Sequence, residues 1–206
     1  AEHFGDHVGL GIFGKAGDVD ILFVCTIYHV GGRAWGIKDG AIMQTDLVIS
    51  PTDGEREMHD NHFVANRLDP IACMDNFKIT ETDNDVTWQA GNRKIVCRPP
   101  YWELKGEHMG VDVDLLIAGD GPSIPYHGTW DKLHEAGIAG NEQLGVAEGT
   151  ITYQGEVYTL DEGWAVRERT CLGKDYNVPK LLAGKAGYIW GWVFSEELKL
   201  FCFAQG

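Results

Sequence analysis

The sequence lacks the features of nucleic-acid-binding and membrane-spanning proteins. Basic residues are few: 17 Lys and Arg against 31 Asp and Glu give a formal net charge of −14. This charge argues against nucleic acid or an anionic membrane surface as a partner. No apolar run approaches the roughly 18 residues that a membrane span requires, so no membrane span is expected. Proline is scarce, with 7 residues against 27 glycines, and so many glycines indicate many turns and few long helices.

The cysteines show no CxxC spacing and are scattered over the chain; they are Cys25, Cys73, Cys97, Cys171 and Cys202. An odd, scattered set argues against a disulfide framework and a structural zinc site, and it favours a reducing, cytoplasmic compartment. The first residues, AEHFGDH, contain no signal-like apolar region, although a signal that had already been removed would leave no trace.

Motifs for nucleophilic and cofactor chemistry are also missing. The chain has no GxSxG, no SxxK and no phosphate-binding loop. Gly9, Gly11 and Gly14 approach a dinucleotide-binding spacing but do not lead into a helix, so no cofactor is expected. His59 and His62 would point to opposite faces of a strand, whereas a metal needs convergent ligands, so no metal site is expected either.

Strand-like segments rich in β-branched and aromatic residues follow one another along the chain. The predicted strands are residues 19–30, 41–50, 77–82, 86–89, 92–98, 101–105, 109–118, 144–153, 157–160, 164–171, 188–194 and 198–204. Frequent turn signals without βαβ alternation predict an all-β fold, an antiparallel barrel or sandwich.

Turns and one helix complete the predicted organisation. Gly31 and Gly32 predict a hairpin turn, and Asp83 and Asn84 predict another. Residues 119–128 predict a loop, and residues 130–139 predict a short helix. The region around residues 122–140 therefore separates two sets of strands, residues 1–125 and residues 141–206.

The densest charged segment, DEGWAVRERTCLGKDYN, contains our candidate catalytic residues, which are Arg167, Glu168, Asp175 and Tyr176. On a strand, Arg167 and Arg169 share one face and Glu168 points to the other. A carboxylate beside a guanidinium and a phenol at a cavity mouth could act as an acid or base. Burial raises a carboxyl pKa and a neighbouring arginine lowers it. The alternative is a salt-bridged strand end without catalysis, and the sequence favours neither.

Tryptophan is abundant, and several tryptophans lie on predicted strands. Aromatic side chains inside β-barrels often line apolar ligand cavities, although simple core packing explains any single one equally well. Our candidate ligand-binding residues are Trp102, Trp164, Trp190, Trp192 and His127.

Two motifs resemble a known family. The chain reads G-x-I-x-x-x-G-x-x-Y at residues 149–158 and G-W-x-x-R-E-R-T-x-x-x-K-D-Y at residues 163–176. They resemble the central stretch of AttH and carotenoid 1,2-hydratase proteins, in which a strand pair leads to an R-D-H-S-W-G-x-R-D type segment. Residues 102–125 resemble the family's preceding strand and proline-bearing loop. The matching positions are Arg167 to Arg, Glu168 to Asp, Thr170 to Ser, Lys174 to the second Arg and Asp175 to the last Asp.

The resemblance implies a lipocalin-like, calycin-type fold built from two consecutive barrels. Residues 1–125 would form the first barrel, and residues 141–206 would complete it or open the second. Arg169 replaces the family His and Cys171 the family Trp. The resemblance then implies a deep apolar cavity, no organic cofactor, and hydration, isomerisation or cyclisation of a hydrophobic small molecule.

Three functions stay open on the sequence. The first is a cofactor-free hydratase-, isomerase- or cyclase-type enzyme, a lyase or isomerase by class, that acts on a terpenoid, steroid or polyketide by acid–base catalysis. The second is a non-catalytic lipocalin-like carrier of a hydrophobic ligand. The third is a carbohydrate-active β-sandwich using Asp112 and Asp114, which would lie side by side on one strand. A homodimer is left open.

Overall fold

Strands make up most of the chain in a computed structural model that describes residues 3–32, 40–52, 62–69, 77–172, 188–194 and 197–205. They are β1 (His3–Ala16), β2 (Val19–Gly32), β3 (Gly40–Pro51), β4 (His62–Asp69), β5 (Lys78–Glu81), β6 (Val86–Ala90), β7 (Arg93–Arg98), β8 (Tyr101–His108), β9 (Val111–Gly119), β10 (Ile124–Gly128), β11 (Ile138–Tyr153), β12 (Glu156–Thr159), β13 (Glu162–Leu172), β14 (Tyr188–Phe194) and β15 (Lys199–Gln205). A 3₁₀ turn (Trp130–Lys132) and α1 (Leu133–Ala136) are the helical segments of these described ranges. With four residues in the longer one, neither could cross a bilayer.

Thirteen strands form one antiparallel sheet, and eleven of them follow the order β4-β3-β2-β1-β13-β11-β9-β8-β7-β6-β5. β10 and β12 pair with β11 off this path, and β14 pairs with β15 in a separate two-stranded sheet. β13 lies between β1 and β11, so β11 and β13, which follow α1, are hydrogen-bonded into the sheet begun by the N-terminal strands.

The sheet curls into a half-barrel whose concave face carries the core. Alternate residues of β1, among them Val8, Leu10 and Ile12, are at most 2% exposed, as the two-residue period of a strand requires. The Thr45 hydroxyl of β3 is 2.8 Å from His108 Nδ1 of β8, although these strands lie far apart in the sheet order. The two ends of the sheet therefore approach each other, and the predicted all-β antiparallel class is confirmed.

Several local predictions differ from the structure. Gly31 and Gly32 do not turn: they pair with Phe4 and His3, because β2 continues to the end of β1. The predicted loop at 119–128 contains β10, which pairs with β11. The predicted helix at 130–139 is reduced to two short segments, since Gly137 at φ 75° ends α1.

The remaining local comparisons concern one hairpin, strand β1 and two histidines. The hairpin around residues 83–84 is confirmed by the pairing of β5 with β6. Strand β1 was missed because Gly9, Gly11 and Gly14 weaken its strand signal. Pairing with β2 and β13 along its length compensates for that weakness. Of the two histidines that were considered as metal ligands, His59 lies outside the described residues, and His62 begins β4.

Candidate functional site

Strand β13 sends its charged side chains to both faces of the sheet. Arg167 and Arg169 contact Trp102 and Trp88, two tryptophans buried on the concave side. Glu168 points the other way and hydrogen-bonds His7. This alternation agrees with the sequence prediction, and it separates two candidate catalytic residues, Arg167 and Glu168.

On the concave side, Arg169 bridges an acid and two aromatic rings. Its Nη2 donates to Asp6 Oδ2 at 2.7 Å. Its guanidinium carbon lies 4.8 Å from the ring centroid of Trp88 and 5.9 Å from that of Trp130. Both distances are within the range of cation–π attraction, which holds the guanidinium in place over the rings.

Asp6 is the carboxyl group of this cluster, and its ionisation is perturbed. Burial raises the pKa of Asp6 from 3.8 to about 6, although the nearby charges of Arg169 and His7 lower it. The residue is 8% exposed, and Oδ1 accepts no hydrogen bond from a described residue. A carboxyl group with this pKa can both give and take a proton near neutral pH.

Arg167 lies beside this cluster, with its guanidinium carbon 4.8 Å from the Trp102 ring centroid. The hydrogen-bond pattern orients the Asn141 amide so that its oxygen accepts from Arg167 Nη2 at 3.1 Å and Nη1 at 3.2 Å, and from the Ser123 hydroxyl. Arg167 Nε is buried and has no partner among the described residues. Burial lowers the pKa of the guanidinium, which nevertheless stays charged because its pKa begins so high.

A cavity of about 290 Å³ adjoins both arginines through Trp130 and Asn141. Its lining is Ser123, Pro125, Thr129, Trp130, Asp131, Gly140 and Asn141. We call Asp6, Arg167, Arg169 and the residues lining this cavity the concave site. An aromatic wall, a titrating carboxyl and two guanidiniums can bind a small molecule and exchange a proton with it.

A second polar cluster lies on the convex face around Glu168. Glu168 Oε1 is 2.8 Å from His7 Nε2 and accepts from the Thr170 hydroxyl at 3.1 Å. The His7 ring lies 5.0 Å from that of Tyr28. Glu168 is therefore held in a hydrogen-bonded group on the face opposite the cavity.

The candidate ligand-binding residues are spread over the fold. Trp102 is 1% exposed and packs under Arg167. Trp164 lines a separate groove of about 580 Å³, together with Phe13, Leu22 and Val48. Trp190 and Trp192 belong to β14 and His127 to β10, but their side chains lie outside the described part of the chain. Asp175 and Tyr176 also lie outside it.

Sequence reasoning missed Asp6, Trp88, Trp130 and Asn141. No short motif links Asp6 to Arg169, because 163 positions separate them and only the pairing of β1 with β13 brings them together. Within the described ranges no three His, Cys, Asp or Glu side chains are grouped as a metal ion would need.

No protein-family model and no curated protein matches this sequence. Solved structures do match the fold. An AttH protein from Nitrosomonas europaea aligns with a TM-score of 0.55 and 13% identity, covering 92% of this chain and 56% of its own. Kievitone hydratase from Nectria haematococca aligns with a TM-score of 0.55 and 10% identity, covering 96% and 55%. CghA aligns with a TM-score of 0.53 and 9% identity, covering 83% and 46%.

These proteins are lipocalin-like double-barrel proteins, and the described part of this chain has their fold. The lipocalin-like architecture expected from the sequence is therefore confirmed, and the β-sandwich expectation is wrong, because the main sheet is a single curled one. The chain spans about half the length of the solved structures it matches.

Proposed function

We propose that this chain is part of a hydratase-, isomerase- or cyclase-type enzyme that moves a proton on a hydrophobic small molecule such as a terpenoid, steroid or polyketide. The observation that carries the proposal is Asp6, a carboxyl group whose pKa burial raises to about 6. It accepts a hydrogen bond from Arg169, whose guanidinium lies over Trp130, and Trp130 lines the cavity. The shared fold of kievitone hydratase, a hydratase by name, supports the reaction class.

Protonated Asp6 is the acid of the proposed reaction. Its Oδ1 proton passes to a carbon of a polarised double bond, whose π electrons form the new C–H bond and leave a cationic carbon. In hydration, a water oxygen then bonds to that carbon and returns its proton to Asp6. In isomerisation, Asp6 instead removes a proton from a neighbouring carbon, and a double bond forms at the new position. Each of these two reactions regenerates protonated Asp6, so no reagent other than the substrate and, in hydration, water is consumed.

Arg169 is the positioning residue for this acid. It stabilises the carboxylate that remains after proton transfer, through the 2.7 Å hydrogen bond to Oδ2, while Oδ1 has no described hydrogen-bond partner. Resemblance places the family histidine at the position of Arg169. Asp6 lies beside that position. We infer that Asp6 takes the place of the histidine as the group that gains and loses a proton near neutral pH.

Glu168 stays a second catalytic candidate, because His7 and Thr170 hold its carboxyl in place on the convex face. Asp175 and Tyr176 also stay predictions. Of the four residues proposed from the sequence, Arg167 reaches the cavity only through its hydrogen bonds to Asn141, which lines it, and we give Arg167 an orienting role.

The experiment is turnover of a panel of terpenoids, steroids and polyketides, with products identified by mass spectrometry. Asp6→Asn removes the titrating proton with little change in shape, and we expect it to lower turnover at least about 100-fold. Asp114→Asn is the matched control, since Asp114 lies exposed on β9 and pairs with Lys105 away from the cavity.

Full turnover by Asp6→Asn, with unchanged thermal unfolding, would overturn the assignment of Asp6. Tight retention of an unchanged ligand by the wild-type chain, with no product from any member of the panel, would instead identify a carrier.

A further inference from the structure

We infer that the cavity of the concave site binds a neutral ring that carries two adjacent hydroxyl groups. Asp131 accepts both hydroxyl protons, and Trp130 stacks on the ring. This assignment rests on the proposed function for the choice of site, and it specifies the part of the substrate that enters the cavity. It concerns binding and is independent of the proton transfer by Asp6.

The polar groups that line the cavity can bind hydroxyl groups. The Asp131 carboxylate forms no ion pair or side-chain hydrogen bond within the described part of the chain. The Thr129 hydroxyl makes no hydrogen bond to the backbone of the 3₁₀ turn that follows it. The Asn141 oxygen accepts from Arg167 and Ser123, so the donors of its amide are what it can offer a ligand. A carboxylate acceptor, amide donors and a hydroxyl therefore meet in one cavity, and a hydroxyl-bearing ligand can pair with each of them.

The charges around the cavity favour a neutral ligand over an ion. Of the residues that line it, Asp131 alone carries a charge, and its carboxylate repels an anion. Behind the lining, Arg169 lies over Trp130 and Arg167 donates to an amide of the lining, so two guanidiniums oppose a cation. Hydroxyl groups form hydrogen bonds with the lining without bringing a net charge into it.

Trp130 gives the cavity a flat apolar wall. Trp88 and Trp102 are 1% exposed, whereas Trp130 is 45% exposed and lines the cavity. Arg169 lies 5.9 Å from the Trp130 ring centroid and is itself held by Asp6 at 2.7 Å, so the indole is supported before a ligand binds. The volume of about 290 Å³ is at the small end of ligand pockets and suits one six-membered ring with its substituents. A ring stacked on the indole is therefore the core of the ligand.

Two adjacent hydroxyl groups match the Asp131 carboxylate. A carboxylate can accept a hydrogen bond on each of its two oxygens, and a single hydroxyl uses one of them. Hydrogen bonds to an ionised acceptor are roughly twice as strong as those between neutral groups, so the second hydroxyl adds selectivity. Aromatic diols and saturated rings such as sugars both carry adjacent hydroxyl groups, and the experiment separates these two sources.

The experiment titrates the wild-type chain with two pairs of small rings, followed by ligand-observed NMR. One pair is catechol and guaiacol, and the other is trans-1,2-cyclohexanediol and trans-2-methoxycyclohexanol. Within each pair, methylation removes one hydroxyl proton and leaves the ring unchanged. We expect the diol to bind at least 10-fold more tightly than its methyl ether in one pair or in both. Preference in the first pair indicates an aromatic diol, and preference in the second indicates a saturated ring. No preference in either pair would overturn the inference.

Two variants test the roles of the carboxylate and the indole. Asp131→Asn leaves one acceptor oxygen, so the preference for the diol should fall to within about 2-fold. Glu135→Gln is the matched control, because Glu135 is an exposed carboxyl group of α1 outside the cavity lining, and it should keep the preference. Trp130→Ala should weaken diol and ether alike, by at least 10-fold. Tyr101→Ala removes an aromatic side chain that is 51% exposed on β8 and should leave binding within 2-fold. An unchanged preference in Asp131→Asn would overturn the inference.

The outcome is separable from that of the proposed function. Asp6 is not among the residues that line the cavity, so Asp6→Asn should keep the preference for the diol. If Asp6→Asn keeps full turnover while diol binding depends on Asp131, the diol site stands and the catalytic assignment fails. If Asp6→Asn loses turnover and Asp131→Asn leaves the diol preference unchanged, the catalytic assignment stands alone.

Discussion

Arg169 Nη2 lies 2.7 Å from Asp6 Oδ2, yet the pKa of Asp6 is raised rather than lowered. An adjacent guanidinium ordinarily favours the ionised carboxylate. Here the loss of water around a carboxyl group that is 8% exposed outweighs that attraction. The pair is therefore an acid held close to ionisation.

Asp6 should make the stability of the chain depend on pH. Because its pKa is about 6 when folded and near 3.8 when unfolded, its stabilising contribution is fully present below pH 4. That contribution is lost as the pH rises through 6, and its size is about 3 kcal/mol. Measured by denaturant unfolding, the stability of Asp6→Asn relative to wild type should therefore increase from pH 4 to pH 7. A difference that stays constant over this range would contradict the prediction.

Removing the guanidinium should raise the pKa of Asp6 further. Arg169→Met keeps an unbranched side chain near Trp88 but deletes the charge that lowers the pKa of Asp6. We expect the pKa to rise by about one unit or more, measured by carbon-13 NMR titration of the carboxyl group. Arg98→Met, an exposed change of the same type on β7, should leave the Asp6 titration where it is.

Gly106 should tolerate an added side chain less well than Gly17 does. Its φ is +96°, and an added Cβ would lie 1.9 Å from the Asn92 carbonyl oxygen. Gly106→Ala should lower the free energy of unfolding by about 3 kcal/mol or more, since backbone strain and a backbone clash combine. Gly17→Ala is the control: its φ is +58° with nothing within 4 Å, so only about 1–2 kcal/mol is expected. If Gly106→Ala and Gly17→Ala lower the free energy of unfolding by similar amounts, the backbone moves to relieve the contact with Asn92 and the prediction is wrong.

Arg93 should contribute to stability through its volume more than through its charge. The residue is 0% exposed, donates to the Val111 carbonyl at 2.9 Å, and leaves Nε and Nη1 without described partners. Arg93→Ala should cost about 3 kcal/mol or more because it leaves a cavity. Arg93→Met fills that space and removes a desolvated charge, so it should cost less than about 1.5 kcal/mol in denaturant unfolding. If Arg93→Ala and Arg93→Met lower the free energy of unfolding equally, the charge of Arg93 is itself stabilising and the prediction is wrong.

The strands were predictable where the pattern is local. Residues 111–115 alternate apolar and acidic positions, and β9 shows that alternation as buried and exposed side chains. Strand β1 could not be predicted, because its glycines weaken the strand signal. It forms because β2 and β13 pair with it along its length. Gly31 and Gly32 are residues that favour a turn. They continue strand β2 instead, because β1 is long enough to pair with both of them.

The site was predictable only in part. The two faces of β13 follow from strand periodicity, so the separation of Arg167 from Glu168 could be stated in advance. The partners of Arg169 could not, because Asp6 comes from β1 and Trp88 from β6, both far from β13 in the sequence. The carbohydrate hypothesis placed Asp112 and Asp114 side by side, and both are exposed on β9, but the sandwich around them is wrong.

By itself, the sequence determined that this chain is an acidic all-β protein, because net charge, strand periodicity and turn chemistry depend on composition and near neighbours. Tertiary structure decided that β13 pairs with β1 and β11, and which side chains share the concave face. It also decided that Asp6 titrates near neutral pH. A pKa of this kind depends on how much water surrounds a group and which charges approach it, and both are set by contacts between residues far apart in the chain.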